Sequence, residues 1–331
     1  MPCYNVAPYV GRCLESIEHQ DIPQAEYEVI CVDDCSQDNT AEVIRGYQKQ
    51  YPNVRLICHT ENKTAGGARN TGMDAAKGEY LWFVDPDDAI VENILGTLWQ
   101  QITEKQVDIL FFNYNHKDED NVAHPVLQFD GNQEVMRGQD FFLAYCKQKR
   151  LAEVISIWRE VFSAKYLKEN DIRYPEIKSS QDVVFAWHSY LVAQRVTAIP
   201  IVAYNHMRRP TSTTGSKGRY KAINLISASI LYSAKIKELV EMLPMYEQYK
   251  EDLWLEIKLS VNDEARKILL MEPKERNSFY DQLQTHASQV QEFFSLMNRR
   301  NKILYNYRLP RGIWNMMIVL YRYYDKIVRK R

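Results

Sequence analysis

Three carboxylates, Asp85, Asp87 and Asp88, follow the apolar run Tyr80-Leu81-Trp82-Phe83-Val84. The run has the length of a buried strand. Pro86 has no N–H to give a ladder and ends it. Burial therefore delivers clustered negative charge to a strand end, where open α/β sheets bind their ligands. Hard oxygen ligands at this spacing suit Mg²⁺ or Mn²⁺, above all when a substrate phosphate shares the ion. A plainer task fits the same residues: Asp87 or Asp88 would cap a helix starting near Ala89.

A second acidic strand end is Val32-Asp33-Asp34. Its carboxylates suit either turn chemistry or a ligand's imide and hydroxyl donors. The segment Lys63-Thr64-Ala65-Gly66-Gly67-Ala68-Arg69-Asn70 sets glycines at a helix start between basic side chains, a place that favours anions. It is neither a Walker loop nor a dinucleotide fingerprint. Asp182 lies at a helix start, as an N-cap or first-turn acid. Arg208 and Arg209 adjoin a hydroxyl-rich loop and suit either solvent or a diphosphate. His206, near a strand end, suits a ligand or a base, with a satisfied structural role preferred.

These residues need a scaffold, and the pattern supplies one. Strands are expected at 27–32, 54–58, 80–84, 107–113 and 197–204. Helices are expected at 8–20, 40–51, 65–77 (closed by Gly78), about 91–105, 139–149, 151–169 and from 181 onward. Residues 1–5 and 114–135 read as loops. Strands alternating with helices give an α/β fold with a mostly parallel sheet covered on both faces. Beyond Gly218, Gly and Pro become rare and helical spacing dominates. The expected division is a domain over 1–218, in halves at about 1–113 and about 114–218 (which the resemblance given below makes a nucleotide-binding and an acceptor half), then a helical extension over 219–331.

The chain has 331 residues, enough for two domains, and a net charge of −1, which gives no bulk attraction for nucleic acid. Its six cysteines show no metal-ligand spacing and suit a reducing, cytoplasmic setting. No apolar run has the length of a membrane span, and no signal peptide is evident.

Taken together, the motifs resemble the family-2 glycosyltransferases of GT-A fold. The resemblance rests on Pro2-Cys3-Tyr4-Asn5, Val32-Asp33-Asp34 with Cys35 to Thr40, Gly67-Ala68-Arg69-Asn70-Thr71-Gly72, and Lys77-Gly78-Glu79-Tyr80 leading into Phe83 to Asp88. Downstream, Ile172-Arg173-Tyr174-Pro175 and Gln181-Asp182-Val183-Val184-Phe185 are similar to the family's acceptor-side motif. The match covers about residues 1–215. It implies a metal-dependent, inverting transfer of a sugar from a nucleotide donor, UDP-linked by expectation, to a hydroxyl of a glycan or lipid-linked acceptor in cell-surface polysaccharide assembly. Tyr4 and Asp34 would line the nucleobase pocket, with Asp33 beside it and Pro2 and Asn5 in the same loop. Arg69 would meet the nucleobase or diphosphate, joined by Arg208 and Arg209. Asp85 would hold the ribose or a metal-bound water, Asp87 would ligate Mn²⁺ or Mg²⁺, and Asp182 would be the general base. A catalytically impaired nucleotide-sugar-binding scaffold and a nucleotidyltransferase are the alternatives.

Two departures accompany the resemblance. The family's apolar first strand is missing ahead of Pro2, so a loosened nucleobase pocket is expected, and a start site placed too late is the favoured explanation. Gln181 stands where the family often has Glu. Finally, the stretch 312–331 is apolar and aromatic, then basic through Arg322, Lys326, Arg329, Lys330 and Arg331. It suits either packing on the protein or a peripheral helix at the inner face of an anionic membrane.

Overall fold

The structure is a computed structural model. It describes residues 1–117, 122–124, 133–149, 156–177, 181–207, 267–285, 297–306 and 308–328, with isolated positions 238, 241, 251, 258, 262 and 287. Two compact units emerge. The first comprises Met1–Glu176 and Phe185–Pro210, and the second Ile177–Val184 and Thr211–Arg331.

The first unit opens with β1 (Pro2–Cys3), α1 (Ala7–Glu18), β2 (Val29–Asp33), α2 (Thr40–Gln50), β3 (Val54–Cys58) and α3 (Thr64–Ala75). β1, β2 and β3 form a parallel sheet in that order. β2 is buried along its whole length, so its run shows no alternation. On one face Val29 and Cys31 pack against Val10, Cys13 and Leu14 of α1; on the other Ile30 and Val32 meet Ala68 of α3.

β4 (Tyr80–Trp82), β5 (Ala89–Ile90), α4 (Leu95–Lys105), β6 (Ile109–Lys117), β7 (Ala123–His124), α5 (Gly138–Lys149), β8 (Glu160–Ser163), α6 (Ala164–Glu169), α7 (Gln181–Val192) and β9 (Val196–Met207) follow. The second sheet runs β4-β8-β6-β9-β5, with β7 paired to β6. β6 and β9 are parallel; β4–β8, β8–β6 and β9–β5 are antiparallel. The parallel pairing expected from the sequence thus holds for the first sheet and for the β6–β9 centre of the second.

Several expected elements are corrected. Residues 2–3 are a strand, β1, rather than loop. No helix starts at Ala89: Ala89–Ile90 is β5, and the helix begins at Leu95. The helix over 65–77 ends at Ala75, without Gly78 as its cap. The stretch 114–117 extends β6. The expected helix over 151–169 gives way, within the described residues, to a short 3₁₀ turn at Ile157–Arg159, then β8 and α6. β8 is central and buried on both faces, so its sequence carries no period-2 signal.

In the second unit the described segments are helical: Lys267–Leu270 as a 3₁₀ turn, α8 (Pro273–Thr285), α9 (Arg299–Leu304) and α10 (Arg311–Val328). Trp314 of α10 is fully buried and its indole N–H donates to the Leu304 carbonyl at 2.7 Å.

Glu160 of β8 lies wholly inside the first unit. The Tyr190 hydroxyl donates to its Oε1 at 2.7 Å. Burial pushes its carboxyl up to about 8, against the opposing pull of Tyr190 and Arg159. The folded state therefore holds this proton more tightly than the unfolded chain does. Its favourable contribution is full below the unfolded carboxyl range and is lost as pH rises toward about 8. Glu160→Gln should flatten the fall of the unfolding temperature between about pH 5 and pH 8. A scan of thermal unfolding against pH checks this; an unchanged slope counts against it.

Candidate active site

α3 bridges the two acidic strand ends. At its start, the Lys63 N–H donates to Asp34 Oδ1 at 2.8 Å. Six residues later, about 9 Å along the axis at 1.5 Å per residue, the Arg69 guanidinium donates to Asp85 Oδ1 at 2.7 Å. Arg69 is 9% exposed and Asp85 28%, so the arginine is the buried partner and the carboxylate opens outward. Tyr174 covers the guanidinium, with its ring centroid 5.4 Å away. A Cβ on Gly67 would come within 2.6 Å of the Lys63 Cβ, which explains the glycine at that turn. Thr64 enters the helix at φ 67°, and Cys35 lies at φ 65°. A left-handed β-branched residue is strained, and such strain gathers at functional sites.

The two carboxylates of Asp33 and Asp34 differ in state. Asp34 is 2% exposed; its Oδ1 also accepts from His59 Nδ1 at 2.7 Å, and His59 Nε2 lies 2.9 Å from the Thr71 hydroxyl. Asp33 is 5% exposed. Its Oδ2 takes only a long 3.4 Å bond from the Ser36 N–H, and its Oδ1 is buried with no partner among the described residues. An unused acceptor of that kind is costly unless a ligand uses it.

The N-terminal loop is tied to the loop after β2. The Asn5 N–H donates to the Ser36 hydroxyl at 3.0 Å, and Asn5 Oδ1 accepts from the Gln37 N–H at 2.8 Å, with Asn5 at φ 52°. The Val6 and Ala7 N–H groups donate to the Thr40 hydroxyl and to Asp38 Oδ2. Burial alone would raise the Asp38 carboxyl, but bonds from Thr40 and Ala7 outweigh it and hold it below the usual range. Tyr4 is 48% exposed at the surface of this loop. Pro2 lies beneath it in β1.

Asp85, Asp87 and Asp88 divide their tasks. Asp88 is 2% exposed; its two oxygens accept from the Tyr204 hydroxyl and the Met207 N–H, both at 2.7 Å. Burial first, then the charges of Asp85 and Asp87, push its carboxyl well above the ordinary value. Asp88 therefore anchors β9 rather than capping a helix. The Asp87 carbonyl accepts from Arg12 at 2.7 Å, and its side chain is half-buried. Asp85 and Asp87 are the two carboxylates of the run that remain partly exposed. Among the described residues no group of three His, Cys, Asp or Glu side chains is placed to hold a metal. Two carboxylates fit Mg²⁺ or Mn²⁺ that keeps waters and takes substrate phosphate, not a cation held by protein alone.

Behind Arg69, the segment Ile172–Pro175 is clamped to α3. Asn70 Nδ2 donates to the Tyr174 carbonyl at 2.9 Å, and the Tyr174 N–H donates back to Asn70 Oδ1 at 3.0 Å. Arg173 forms a two-bond pair with Asp74, at 2.5 and 2.8 Å, which lowers the Asp74 carboxyl. The Tyr174 ring stacks on Phe185 at 4.1 Å. His206 has the structural setting expected of it: it stacks on Trp158 at 5.2 Å, and its Nδ1 lies 3.1 Å from that of His116. Asp182 is the second residue of α7 and belongs to the second unit; its Oδ1 accepts from the Val183 N–H at 3.0 Å. Arg208 and Arg209 lie outside the described residues. His59, Asn70, Tyr174 and Tyr204 were not singled out as site residues by sequence. Asn70 and Tyr174 stood within motifs of the sequence without a role of their own, and His59 lies one residue past the end of β3 as Asp34 is past that of β2.

The model of glycosyl transferase family 2 matches residues 1–159. The glycosyltransferase GlyG of Streptococcus pneumoniae is 33% identical over 224 residues, which span 64% of this chain and 70% of GlyG. This chain belongs to glycosyl transferase family 2. The poly(ribitol-phosphate) beta-glucosyltransferase of Bacillus spizizenii is 29% identical over 273 residues, 82% of this chain but 38% of that protein. The N-acetylglucosaminyltransferase TarS of Staphylococcus aureus is 25% identical over 279 residues, 47% of its length. The chain thus spans less than half of these two family members. TarS residues 1–349, solved in complex with UDP, superimpose with a TM-score of 0.65 at 22% identity, covering 97% of this chain and 89% of that one. The fold is GT-A. A mannosyltransferase of Pyrobaculum calidifontis, solved with GDP-Man and Mn²⁺, gives a TM-score of 0.52 at 16% identity.

Tyr204 joins two parts of the acidic run: its hydroxyl donates to Asp88 and accepts from the Asp85 N–H at 3.1 Å. Tyr204→Phe should lower stability by about 1–3 kcal/mol by stranding buried Asp88. Urea unfolding measures it; a loss below about 0.5 kcal/mol would show that the hydroxyl contributes little.

Proposed function

We propose that the chain transfers a sugar, with inversion, from a nucleotide diphosphate donor to a hydroxyl of a cell-surface glycan or lipid-linked acceptor. The observation that carries this reading is the α3 bridge: one helix holds Asp34 at its start and, through Arg69, Asp85 two turns on. Nucleobase and diphosphate ends of a donor need such recognition at a fixed separation. Asp33 and Asp34, with Pro2, Tyr4 and Asn5, take the nucleobase end. Asp33 keeps an acceptor oxygen with no partner among the described residues, which suits a uracil imide donor. Arg69 would meet the diphosphate, a role that their charge also offers to Arg208 and Arg209.

Asp85 and Asp87 would hold Mn²⁺ or Mg²⁺, which would offset the phosphate charge and make protonation of the leaving nucleotide unnecessary. Asp182 takes the proton of the acceptor hydroxyl. That oxygen then forms a bond to the anomeric carbon as the bond from that carbon to the phosphate oxygen breaks. A single carboxylate base on the acceptor side is what inversion requires. The neutral Gln181 beside it adds no charge to raise the base's affinity for protons.

Asp182→Asn should bind UDP normally but release nucleotide from a UDP-sugar about 10²–10⁴-fold more slowly. Asp87→Ala should lose the Mn²⁺-dependent part of UDP binding. A panel of UDP- and GDP-sugars, followed by nucleotide release and by calorimetry, tests both. Full turnover in Asp182→Asn removes it as the base, and binding without turnover by the unaltered chain favours the scaffold alternative.

Membrane proximity is the last part of the proposal. Among the described residues no helix is long and apolar enough to cross a membrane. α10, however, leaves Ile313, Met316, Leu320, Tyr323 and Tyr324 exposed while Trp314 and Ile318 are buried. An apolar face followed by basic residues suits the interface of an anionic leaflet and would place the enzyme at a lipid-linked acceptor. Removal of 312–331 should abolish co-sedimentation with phosphatidylglycerol vesicles; unchanged sedimentation rejects the membrane role.

A further inference from the structure

Three histidines stand in one row across the second sheet. His116 of β6 is the register partner of His206 on the parallel strand β9 and of His124 on the antiparallel strand β7. Residues opposite each other in a ladder share a face of the sheet. The rings of His116 and His206 meet: their Nδ1 atoms lie 3.1 Å apart, and their centroids 5.0 Å apart at an interplanar angle of 52°. Both residues are half-buried, so each keeps part of its surface in solvent. Packing fixes the pose. The Trp158 indole lies parallel to the His206 ring, at 5.2 Å and 2°, and nearly parallel to Tyr204, at 4.7 Å and 18°. Tyr114 sets its ring edge-on to Trp158 at 4.7 Å, and Tyr204 is itself held by Asp88. Rings locked in this way lose little freedom when they take a ligand.

A nitrogen pair at 3.1 Å admits two occupants. A shared proton makes a hydrogen bond, which requires the two rings to be opposite tautomers. A cation uses both lone pairs, and each ring then keeps its proton on Nε2. With Zn–N bonds of about 2.05 Å, two nitrogens on one ion stand about 2.9 Å apart at a right angle and about 3.3 Å apart at the tetrahedral angle. The observed spacing falls between those limits. A hydrogen bond needs two histidines, and the row has a third, His124, at the register position on the far side of His116. Imidazole nitrogens suit Zn²⁺, Ni²⁺ or Cu²⁺, whereas Mn²⁺ and Mg²⁺ go to oxygen. The row therefore differs in kind from Asp85 and Asp87. Among the described residues no three His, Cys, Asp or Glu side chains come together, so neither carboxylate joins the pair.

We propose that His116 and His206 form a metal site of their own, for Zn²⁺ or a neighbouring borderline divalent ion, with His124 at the position from which a third ligand would come. The ion would pin β6 to β9. His206 adjoins Met207, whose N–H bonds Asp88, so the ion would brace the strand that anchors the acidic run. The site is a property of the second sheet and stands or falls apart from the transfer reaction.

Titration of the full chain with Zn²⁺, without an affinity tag and without nucleotide, tests it. Calorimetry should show a single ion bound. Affinity should fall about tenfold or more in His116→Phe and in His206→Phe, each of which keeps an aromatic ring in place. His124→Gln should weaken binding as well. Nitrogen NMR should show the Zn²⁺-dependent shifts at Nδ1 of His116 and His206. Saturating Zn²⁺ should raise the unfolding temperature of the unaltered chain by about 2 °C or more, and that of neither Phe variant. Asp87→Ala should take up Zn²⁺ as the unaltered chain does, and His116→Phe should keep Mn²⁺-dependent UDP binding, so failure here is separable from failure of the transfer reading. No saturable Zn²⁺ binding, or undiminished affinity in either Phe variant, overturns the site. Undiminished affinity in His124→Gln overturns its third position. Loss of Zn²⁺ uptake in Asp87→Ala, or loss of Mn²⁺-dependent UDP binding in His206→Phe, would assign the ion to the acidic run and also overturns the site.

Discussion

A guanidinium nine-tenths out of water, paired with one carboxylate and covered by one ring, sets the terms for the first unit. Arg69 is held there with Asp85 as an ion-pair partner and Tyr174 as cover, and an unpaired buried charge would cost several kcal/mol. β4 must therefore stop where Asp85 can reach α3, and residues 172–175 must return to the same helix. The Asn70 clamp and the Tyr174–Phe185 stack hold that return in place. Asp34 makes the matching demand at the start of α3, through Lys63 and His59. Much of the local structure, including the strained entry at Thr64, follows from satisfying buried charges at both ends of one helix.

The division among Asp85, Asp87 and Asp88 shows how one short acidic run supports different chemistries. Asp88 is buried, doubly bonded and held toward its protonated form, so it serves as a tie between β5, β9 and the site. Asp85 is part-exposed and charge-paired. Environment, more than residue type, separates the three. Family 2 membership gives that arrangement its context, and the GT-A fold supplies the strand ends on which it is built.

The residues that resemble the family were legible because they are local: an acidic pair at a strand end, a glycine-bearing helix start, a proline after an apolar run. Burial periodicity placed β3 to the residue and α1, α2 and α7 to within a few. The failures share one cause. β8 is enclosed on both faces, and β1 and β5 are two residues long, so none carries a usable period. The helix expected at Ala89 failed because Asp88 bonds across the fold to β9, and no local pattern encodes a partner 119 residues away. His59, Tyr174 and Tyr204 were hidden for the same reason: each acts through tertiary contact.

The clamp between Asn70 and residue 174 is made entirely with main-chain groups of the latter. Those two bonds do not depend on the side chains at 175 and 176, whereas Ile172 is fully buried and Arg173 is held by Asp74. Ring and register are separately secured, one by Phe185 and the other by Asn70. Substitutions at 175 and 176 can redraw the outer surface of the segment while Arg69 keeps its cover. Variation at this edge therefore need not reach the buried pair of Arg69 and Asp85 beneath it.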